Sequence, residues 1–463
     1  MNKPDAAIRM SAASTVALLI ASAQAPLGST LIAVALPSIG IGIGADLVLI
    51  TGLLVTGYLV VNVVFQGPAG KISDLVGHSR ILWAGIFLYV IGAAFGLLAQ
   101  GISLLFVSRC VMAAAGALVV PATLALLRLH VPPERRGRIF GLFGATMGIA
   151  AAGGPALGGE IVSLFGWRSV FLANLPFLAV SAFLLRAYPL PEKNTPMQRS
   201  LGRLAKSLDF VGIGLLALSL ALLIVASKLD GAIFAALVLS AAVAGVTFVR
   251  WEAKATAPVF DPRLFCLPAF TAGTLMIAAQ NFAMYGLLFE LPQFFTVFRG
   301  TEPREIGYML FLMMIGMVIA APIGGQLTDR IGARQAALLG SLILFSGVLQ
   351  LWQLGSFETP RDAIVALLMF GFGIGLCNAP AQAASMGAVE PSQAGMAAGV
   401  SSTMRYLGGI LSILVLGAVL GSDGTVSVAR HDVMIRLFTA AIVLSAIMSR
   451  RLPGASISTV KSA

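Results

Sequence analysis

Long runs of apolar residues, separated by short polar segments, recur along the whole chain. Each run is close to the ~20 residues that an α-helix needs to cross a hydrocarbon core about 30 Å thick. Fourteen such runs lie at about 12–37, 48–69, 80–100, 103–127, 138–163, 169–187, 209–228, 231–249, 268–297, 306–325, 336–354, 363–385, 397–420 and 433–449. The pattern predicts an all-α polytopic membrane protein with fourteen transmembrane helices.

The composition indicates that lipid is the main solvent of the chain. Of 463 residues, 58% are hydrophobic and 11% are charged, whereas soluble domains carry about 25% charged residues. A net charge of +11 raises the question of nucleic acid binding. The basic residues, however, lie in short loops between apolar runs and not on one face or tail. We therefore expect the lipid bilayer, and no nucleic acid, as a partner.

The lysine and arginine residues are distributed unequally between the predicted loops. With the amino terminus in the cytoplasm, twenty-one of the 30 fall on the cytoplasmic side and seven on the opposite side. Cytoplasmic loops carry an excess of these residues in membrane proteins, so the asymmetry predicts that both termini are cytoplasmic. The two remaining arginines, Arg109 and Arg405, lie inside predicted helices.

The residue types needed for catalysis or cofactor binding form no pattern in this sequence. Three cysteines and three histidines have no metal-ligand spacing. The chain has no phosphate-binding Gly-Lys-Ser/Thr loop and no combination of nucleophile, base and orienting residue. We therefore expect neither a cofactor nor a metal, and we do not expect an enzyme.

An internal repeat links the two halves of the chain. The stretch from Gly70 to Gly77 recurs from Gly325 to Gly332, with aspartates displaced by 329 − 74 = 255 residues. Helices 1 to 6 then correspond to helices 9 to 14, a parallel repeat about an axis along the membrane normal. The predicted domains are a six-helix bundle at 1–188, a basic cytoplasmic linker at 189–208, two additional helices at 209–250, a second linker at 251–267, a six-helix bundle at 268–450 and a tail at 451–463.

The repeated loop resembles a signature of the major facilitator superfamily, in which an aspartate four residues after a glycine helps to hold the cytoplasmic gate closed. The second copy fits well, whereas the first has Leu75 at the basic position. The resemblance implies a gate motif made of Gly70, Asp74, Gly77 and Arg80 in the first copy, and of Gly325, Asp329, Arg330, Gly332 and Arg334 in the second.

Helix 5 carries a glycine-rich motif that resembles the antiporter motif of superfamily exporters. Proline removes a helix hydrogen bond, and glycines four residues apart allow close helix contact. The predicted hinge residues are Gly154, Pro155, Gly158 and Gly159. The string from Gly166 to Pro176 also resembles the turn into helix 6 of the fourteen-helix drug:proton antiporter branch, the multidrug efflux transporters. Since this match is bacterial in character, it implies a cell inner membrane protein with a major facilitator fold, two six-helix bundles plus two extra central helices.

The sequence departs from the resemblance where protons usually couple, because Gly28 occupies the acidic position of helix 1. Charged residues inside membranes are functional candidates by default. The candidates for proton coupling or gating are Arg109, Glu290, Arg405 and Glu160. Glu290 is the candidate for a replacement carrier, because a carboxylate in a low-dielectric environment favours its protonated form. The alternative is an interfacial glutamate at the outer mouth without a role in coupling. Arg109 has a structural alternative, in which the side chain snorkels to the interface or backbone carbonyls satisfy the guanidinium.

A substrate site is expected near the bilayer midplane, lined mainly by apolar side chains and a few polar groups. Gln280, Asn281 and Tyr285 of helix 9 fit this description, since 281 and 285 share a helical face. The additional pair, helices 7 and 8, has almost no intramembrane charge and is expected to lie outside the transport core.

These features together predict a secondary active transporter that acts as a monomer. The preferred function is proton-coupled export of drug-like or amphipathic small molecules by alternating access. Two alternatives stay open: a transporter of a specific metabolite or natural product with altered or no proton coupling, and a membrane sensor that uses the same fold without transport.

Overall fold

Fourteen α-helices account for most of the chain in the computed structural model, which describes residues 10–45, 49–50, 52–190, 209–226, 229, 231–256, 258–301, 303–353, 360–420 and 428–454. We number them α1 Ala12–Ile43, α2 Gly57–Val76, α3 His78–Leu98, α4 Ile102–His130, α5 Arg136–Phe165, α6 Leu175–Ala187, α7 Phe210–Ala226, α8 Gly231–Glu252, α9 Pro268–Arg299, α10 Pro303–Ile331, α11 Ala333–Leu351, α12 Ile364–Gly387, α13 Ala394–Leu420 and α14 Val428–Ser449. A π-helical segment, Gly52–Thr56, precedes α2. These ranges contain no β-strand.

The fourteen predicted spans correspond one to one with α1–α14, so the predicted fold class is confirmed. Within the described ranges, thirteen helical segments are long and apolar enough to cross a membrane. The remaining helix, α7, is apolar but has 17 residues. Most of the basic linker at 189–208 and the tail beyond residue 454 lie outside the described residues.

Local sequence signals explain where the helices begin and end. The Ser11 hydroxyl accepts a hydrogen bond from Ser14 N at 3.0 Å and caps the start of α1. Pro268 occupies the first turn of α9, where a missing N–H has no cost. Gly44 and Gly300 end α1 and α9 with φ angles of 64° and 59°, a left-handed conformation that favours glycine.

The chain forms two compact units, which differ from a simple division by chain order. The first unit contains Met1–Val131, Thr146–Arg263 and Glu390–Tyr406. The second contains Pro132–Ala145, Leu264–Val389 and Leu407–Ala463. Helices α5 and α13 are therefore each divided between the units. The predicted bundles at 1–188 and 268–450 follow chain order and stay a prediction.

Helices α7 and α8 pack against each other as a pair in the first unit. The Ser219 hydroxyl of α7 donates a hydrogen bond to Ala241 O of α8 at 2.9 Å. Glu252 at the end of α8 is buried, and its Oε2 accepts hydrogen bonds from Val259 N at 2.9 Å and Phe260 N at 3.2 Å. The same two residues lie beside Gly67 of α2. The connection after α8 is thereby fixed against α2.

Close crossings at glycine organise the second unit. A methyl group on Gly371 of α12 would overlap Met313 O of α10, and one on Gly324 of α10 would lie 2.8 Å from Leu376 Cα. In lipid, where apolar surface gains little by associating, small residues stabilise helix pairs because they allow close backbone contact. Helices α10 and α12 therefore depend on these glycines for their packing.

Replacing Gly371 with alanine should destabilise the protein by about 1–3 kcal/mol, the usual cost of overpacking a well-filled interior. Gly307 of α10 is the matched control, because a methyl group there would meet no atom within 4 Å. Gly307→Ala should leave the free energy of unfolding in detergent unchanged or raise it by roughly 0.5–1 kcal/mol, since alanine favours a helix. Equal values for the two variants would contradict the packing role of Gly371.

Candidate functional site

Asp74 at the carboxyl end of α2 caps the start of α13 within the first unit. Its Oδ1 accepts a hydrogen bond from Gly395 N at 2.7 Å, and its Oδ2 accepts one from Met396 N at 2.8 Å. The first N–H groups of a helix have no partner inside the helix, and the helix dipole favours a negative charge at that end. A Cβ on Gly70 would overlap Gly395 O, so only glycine permits this crossing.

Asp329 of α10 makes the equivalent contact with the start of α5 within the second unit. Its Oδ1 and Oδ2 accept hydrogen bonds from Gly137 N and Arg138 N, both at 2.8 Å. Gly325 and Gly137 approach as closely as their counterparts, because a Cβ on Gly325 would overlap Gly137 O. We call these two contacts the Asp74 cap and the Asp329 cap.

The receiving helix starts were missed by the sequence reasoning, although they also repeat. Pro133, Gly137 and Gly141 recur as Pro391, Gly395 and Gly399, displaced by 395 − 137 = 258 residues. A 3₁₀ turn begins at each proline and leads into α5 or α13. A proline followed by glycines four and eight residues later is the signal that would have identified both sites.

The other gate-motif residues shape the turns after α2 and α10. Gly77 and Gly332 have φ angles of 110° and 88°, which L side chains rarely adopt. Arg80 donates to Val76 O at 3.1 Å, and Arg334 donates to Leu452 O at 2.9 Å. Arg330 is exposed.

The first copy of the motif has a histidine close to its aspartate. Leu75, at the basic position of the family pattern, is half-buried. His78 lies with its Nε2 3.7 Å from Asp74 Oδ1, and its Nδ1 is 3.0 Å from Ser73 Oγ. A side chain that is positively charged only when protonated therefore lies beside Asp74.

The glycines of the predicted hinge pack α5 against α1. A Cβ on Gly154 would overlap Thr30 Oγ1, and one on Gly158 would lie 3.0 Å from Leu31 O. Gly159 faces Val34 at a longer distance of 3.9 Å, and the Pro155 side chain is exposed. The motif therefore forms a close contact with α1, whereas its role as a hinge stays a prediction.

Arg109 is fully buried and joins three parts of the first unit. Its Nε donates to Leu54 O in the π-helical segment at 3.0 Å, and its Nη1 donates to Gly28 O of α1 at 3.1 Å. The guanidinium also lies 4.1 Å from the centre of the Tyr58 ring, a favourable cation–π distance. These partners match the carbonyl-satisfied alternative from the sequence.

Gly28, which stands where the family pattern has a helix-1 carboxylate, faces neutral polar groups. A Cβ on Gly28 would lie 3.1 Å from Tyr89 Oη and 3.2 Å from Asn174 Nδ2. Those two groups are hydrogen-bonded to each other at 2.5 Å. The described residues include no carboxylate in a salt bridge with Arg109, and Arg109 Nη2 has no hydrogen-bond partner among them.

Glu290 is buried in α9, where it pairs with His431 of α14 through Oε1 and Nδ1. Sequence alone singles out Glu290 but not His431, because a lone histidine between Arg430 and Asp432, outside the predicted apolar run at 433–449, carries no spacing signal. Glu160 is exposed on α5, and Arg405 is half-buried in α13. The structure therefore pairs Glu290 with an opposite titratable group.

The three predicted substrate residues do not share one environment. Gln280 is buried and donates to Ser445 Oγ of α14 at 2.9 Å. Asn281 is buried and donates to Ile277 O of its own helix at 2.7 Å. Tyr285 is half-buried against α13, where a Cβ on Gly409 would lie 2.8 Å from its ring. Their role in substrate binding stays a prediction.

Comparison with known proteins identifies the family. The family model described as Major Facilitator Superfamily matches residues 18–413. An uncharacterized MFS-type transporter of Bacillus subtilis, YvkA, is 30% identical and covers 92% of this chain and 93% of its own. Multidrug resistance protein Stp of Mycobacterium tuberculosis is 31% identical over 86% of this chain and 73% of its own.

A solved structure shows the same fold. The human organic anion transporter MFSD10 aligns with a TM-score of 0.68 and 18% identity, over 94% of this chain and 99% of its own. The all-helical fold with its apolar segments of membrane-crossing length, together with the family match, defines a membrane transport protein. The chain belongs to the Major Facilitator Superfamily, whose members are transporters and not enzymes.

Replacing Asp74 or Asp329 with asparagine should loosen the helix start that each one caps. A charge at a helix terminus contributes about 0.3–2 kcal/mol, which corresponds to a roughly twofold to thirtyfold change in an equilibrium. Met396 is 8% exposed. In a background without Cys110, Cys266 and Cys377, a Met396→Cys reporter should react with a maleimide faster by that factor when Asp74→Asn is added.

Asp432→Asn is the matched control, since Asp432 is a half-buried aspartate of α14. It should leave the labelling rate of the reporter unchanged. A rate that is the same with and without the Asp74 carboxylate would contradict its role in holding the start of α13.

Arg109→Lys should destabilise the first unit, because an ammonium group cannot reproduce the fork that bonds Leu54 O and Gly28 O together. Each lost hydrogen bond from a charged donor costs about 1.5–3 kcal/mol. The free energy of unfolding in detergent measures the loss, with the exposed Arg250→Lys as control. Full stability combined with lost transport would instead show that Arg109 acts directly in transport.

Proposed function

We propose that this protein is a proton-coupled exporter of drug-like or amphipathic small molecules, which works by alternating access in the cell inner membrane as a monomer with both termini cytoplasmic. The Asp74 cap and the Asp329 cap are the observation that carries this proposal. They occupy equivalent positions in the repeat and lie at the ends of α2 and α10 that the positive-inside rule assigns to the cytoplasm.

The two caps have the chemistry of a reversible gate. Each joins a helix of the first half of the chain to a helix of the second half, α2 to α13 and α10 to α5. Each consists of a carboxylate on backbone N–H groups at a helix start, so it can break without unfolding either helix, because water can replace the carboxylate there. We infer that the caps form when the cytoplasmic entrance is closed and break when it opens.

The proposed substrate class follows from relatives and from composition. Multidrug resistance protein Stp is similar over most of this chain, which supports drug-like substrates. Polar groups near the centre of α9, namely Gln280, Asn281 and Tyr285, are the proposed substrate contacts. Abundant methionine and phenylalanine, 17 and 27 residues, would suit adaptable recognition of apolar ligands.

Proton coupling in this proposal must use a site other than the helix-1 acidic position of the family pattern, which is Gly28 in this chain. Arg109 bonds to carbonyl oxygens, and Gly28 supplies no carboxylate. Glu290 is buried and titratable, so it is the proposed carrier. Arg405 and Glu160 are the further candidates for coupling or gating.

Gradient-driven dye flux in proteoliposomes tests the proposed function. A cationic dye should move against its own gradient when a pH gradient is imposed, and protons should move in the opposite direction. An Asp74→Asn/Asp329→Asn double variant should lose most of this flux, since both caps are weakened. Protein-free liposomes provide the background.

Other outcomes would favour the alternatives. Equal dye flux with and without the pH gradient would contradict proton coupling and favour a facilitated transporter of a specific metabolite. That reading is supported by Gly28 and Leu75, which depart from the family pattern. Binding of compounds without any flux would favour a membrane sensor.

A further inference from the structure

Glu290 and His431 form a buried titratable pair in the second unit. Glu290 of α9 is 2% exposed and His431 of α14 is 1% exposed. Glu290 Oε1 contacts His431 Nδ1, which joins the two helices directly. The remaining polar atoms, Glu290 Oε2 and His431 Nε2, are buried and have no hydrogen-bond partner among the described residues. The pair therefore has unused capacity to bind a proton.

The pair lies inside an apolar cluster rather than in a polar network. Phe294, one turn beyond Glu290, packs on the imidazole with ring centres 4.3 Å apart. The buried side chains of the same cluster on α9 and α14 include Leu287, Leu291, Phe294, Met434, Ile435 and Phe438. Low-dielectric surroundings of this kind strongly disfavour a net charge.

Other charged residues of the described part of the chain lie on α14 and on elements around it. On α14, Arg430 and Asp432 flank His431, and Arg436 is exposed. Neighbouring elements of the second unit carry Glu305 of α10 and Arg361 and Asp362 before α12. Among the described residues, Glu290 and His431 form a salt bridge only with each other.

Because no other charge forms a salt bridge with the pair in the described residues, the pair favours the number of bound protons that leaves it neutral. With one proton shared between carboxylate and imidazole, the pair is neutral overall, whether the proton is on Glu290 or on His431. A second proton gives a net charge of +1, and loss of the shared proton gives −1. Either charge is unfavourable while α9 and α14 remain packed, so a change in proton content must accompany access of water to the pair.

The pair lies towards one end of both helices. Glu290 is 22 residues from the start of α9, and His431 is three residues from the start of α14. In the proposed topology, α9 starts and α14 ends in the cytoplasm, so the pair lies near the outer surface. Protons that drive export enter from that side.

We infer that the Glu290–His431 pair takes up the coupling proton from the outer side. A proton from outer water adds to the pair when that side opens, and the pair returns to its one-proton state when the proton leaves towards the cytoplasm, before the next substrate is bound there and carried outwards. This inference rests on the proposed function. It assigns to His431 a role in coupling that the sequence reasoning did not detect.

The first test measures proton binding without any substrate. Infrared difference spectra of the full-length protein in detergent, recorded over a pH series, should show the carboxylic acid C=O band of Glu290 change with pH. Glu290→Gln should remove this band, and His431→Gln should shift its midpoint. An identical set of bands in wild type and Glu290→Gln would overturn the inference even if no transported compound had been found.

The second test separates coupling from substrate movement in proteoliposomes. In wild type, one coupled proton should support a roughly tenfold dye gradient for each unit of pH difference. Glu290→Gln and His431→Gln should lose this accumulation at least about tenfold, while dye exchange without a pH gradient stays within about twofold of wild type. Glu305→Gln is the matched control, because Glu305 is an exposed glutamate of α10.

Two results would overturn the inference, and with it the choice of Glu290 as carrier, while leaving proton-coupled export intact. One is unchanged accumulation in both variants, which would place proton uptake elsewhere. The other is equal loss of accumulation and exchange in well-folded variants, which would make the pair part of substrate movement in general. If the glutamine variants fail to fold, Glu290→Asp decides, since a retained carboxylate should still drive accumulation but with a shifted pH midpoint, and an unshifted midpoint would contradict the inference.

Discussion

A carboxylate that accepts hydrogen bonds from the first backbone N–H groups of another helix is the interaction on which the rest of this structure depends. Asp74 and Asp329 each satisfy two such groups, and each sits four residues after a glycine that crosses a second glycine. The two features need each other, because the carboxylate reaches the helix start only where both backbones come close. Charge and backbone proximity together define which helix ends meet.

Buried charges in the two units are stabilised by different means. Arg109 is held by two carbonyl oxygens and an aromatic ring, so its positive charge interacts with fixed dipoles that cannot gain or lose a proton. Glu290 is held by the His431 imidazole, which can gain or lose a proton. A guanidinium stays charged under all ordinary conditions, so the charge at Arg109 is constant. The net charge of the Glu290–His431 pair, by contrast, can change. Gly28 stands where the family pattern places a helix-1 carboxylate, and the neutral side chains of Tyr89 and Asn174 lie next to it.

Much of the fold could be predicted from sequence, because fourteen apolar runs of membrane-crossing length are a strong one-dimensional signal. Asp74 and Asp329 were also singled out, since they lie in a repeated sequence, although the structure places both inside helices, at the ends of α2 and α10. Their partners were not, because the groups that bond them are backbone N–H groups of Gly395 and Gly137, which every residue except proline possesses. His431 was missed for a related reason. Pairing across α9 and α14 is a tertiary property, and neither helix alone marks its own contact residue.

The paired helices α7 and α8 show what an insertion into such a fold must preserve. They pack on each other and return to α2 through Glu252 and the segment at Val259 and Phe260. An inserted hairpin of two spans brings the chain back to the side of the membrane from which it left, so every helix after it keeps its sidedness. In the predicted topology, a single added span would invert the orientation of α9–α14. An insertion at this point of the chain must therefore contain an even number of spans if the later helices are to keep their predicted orientation.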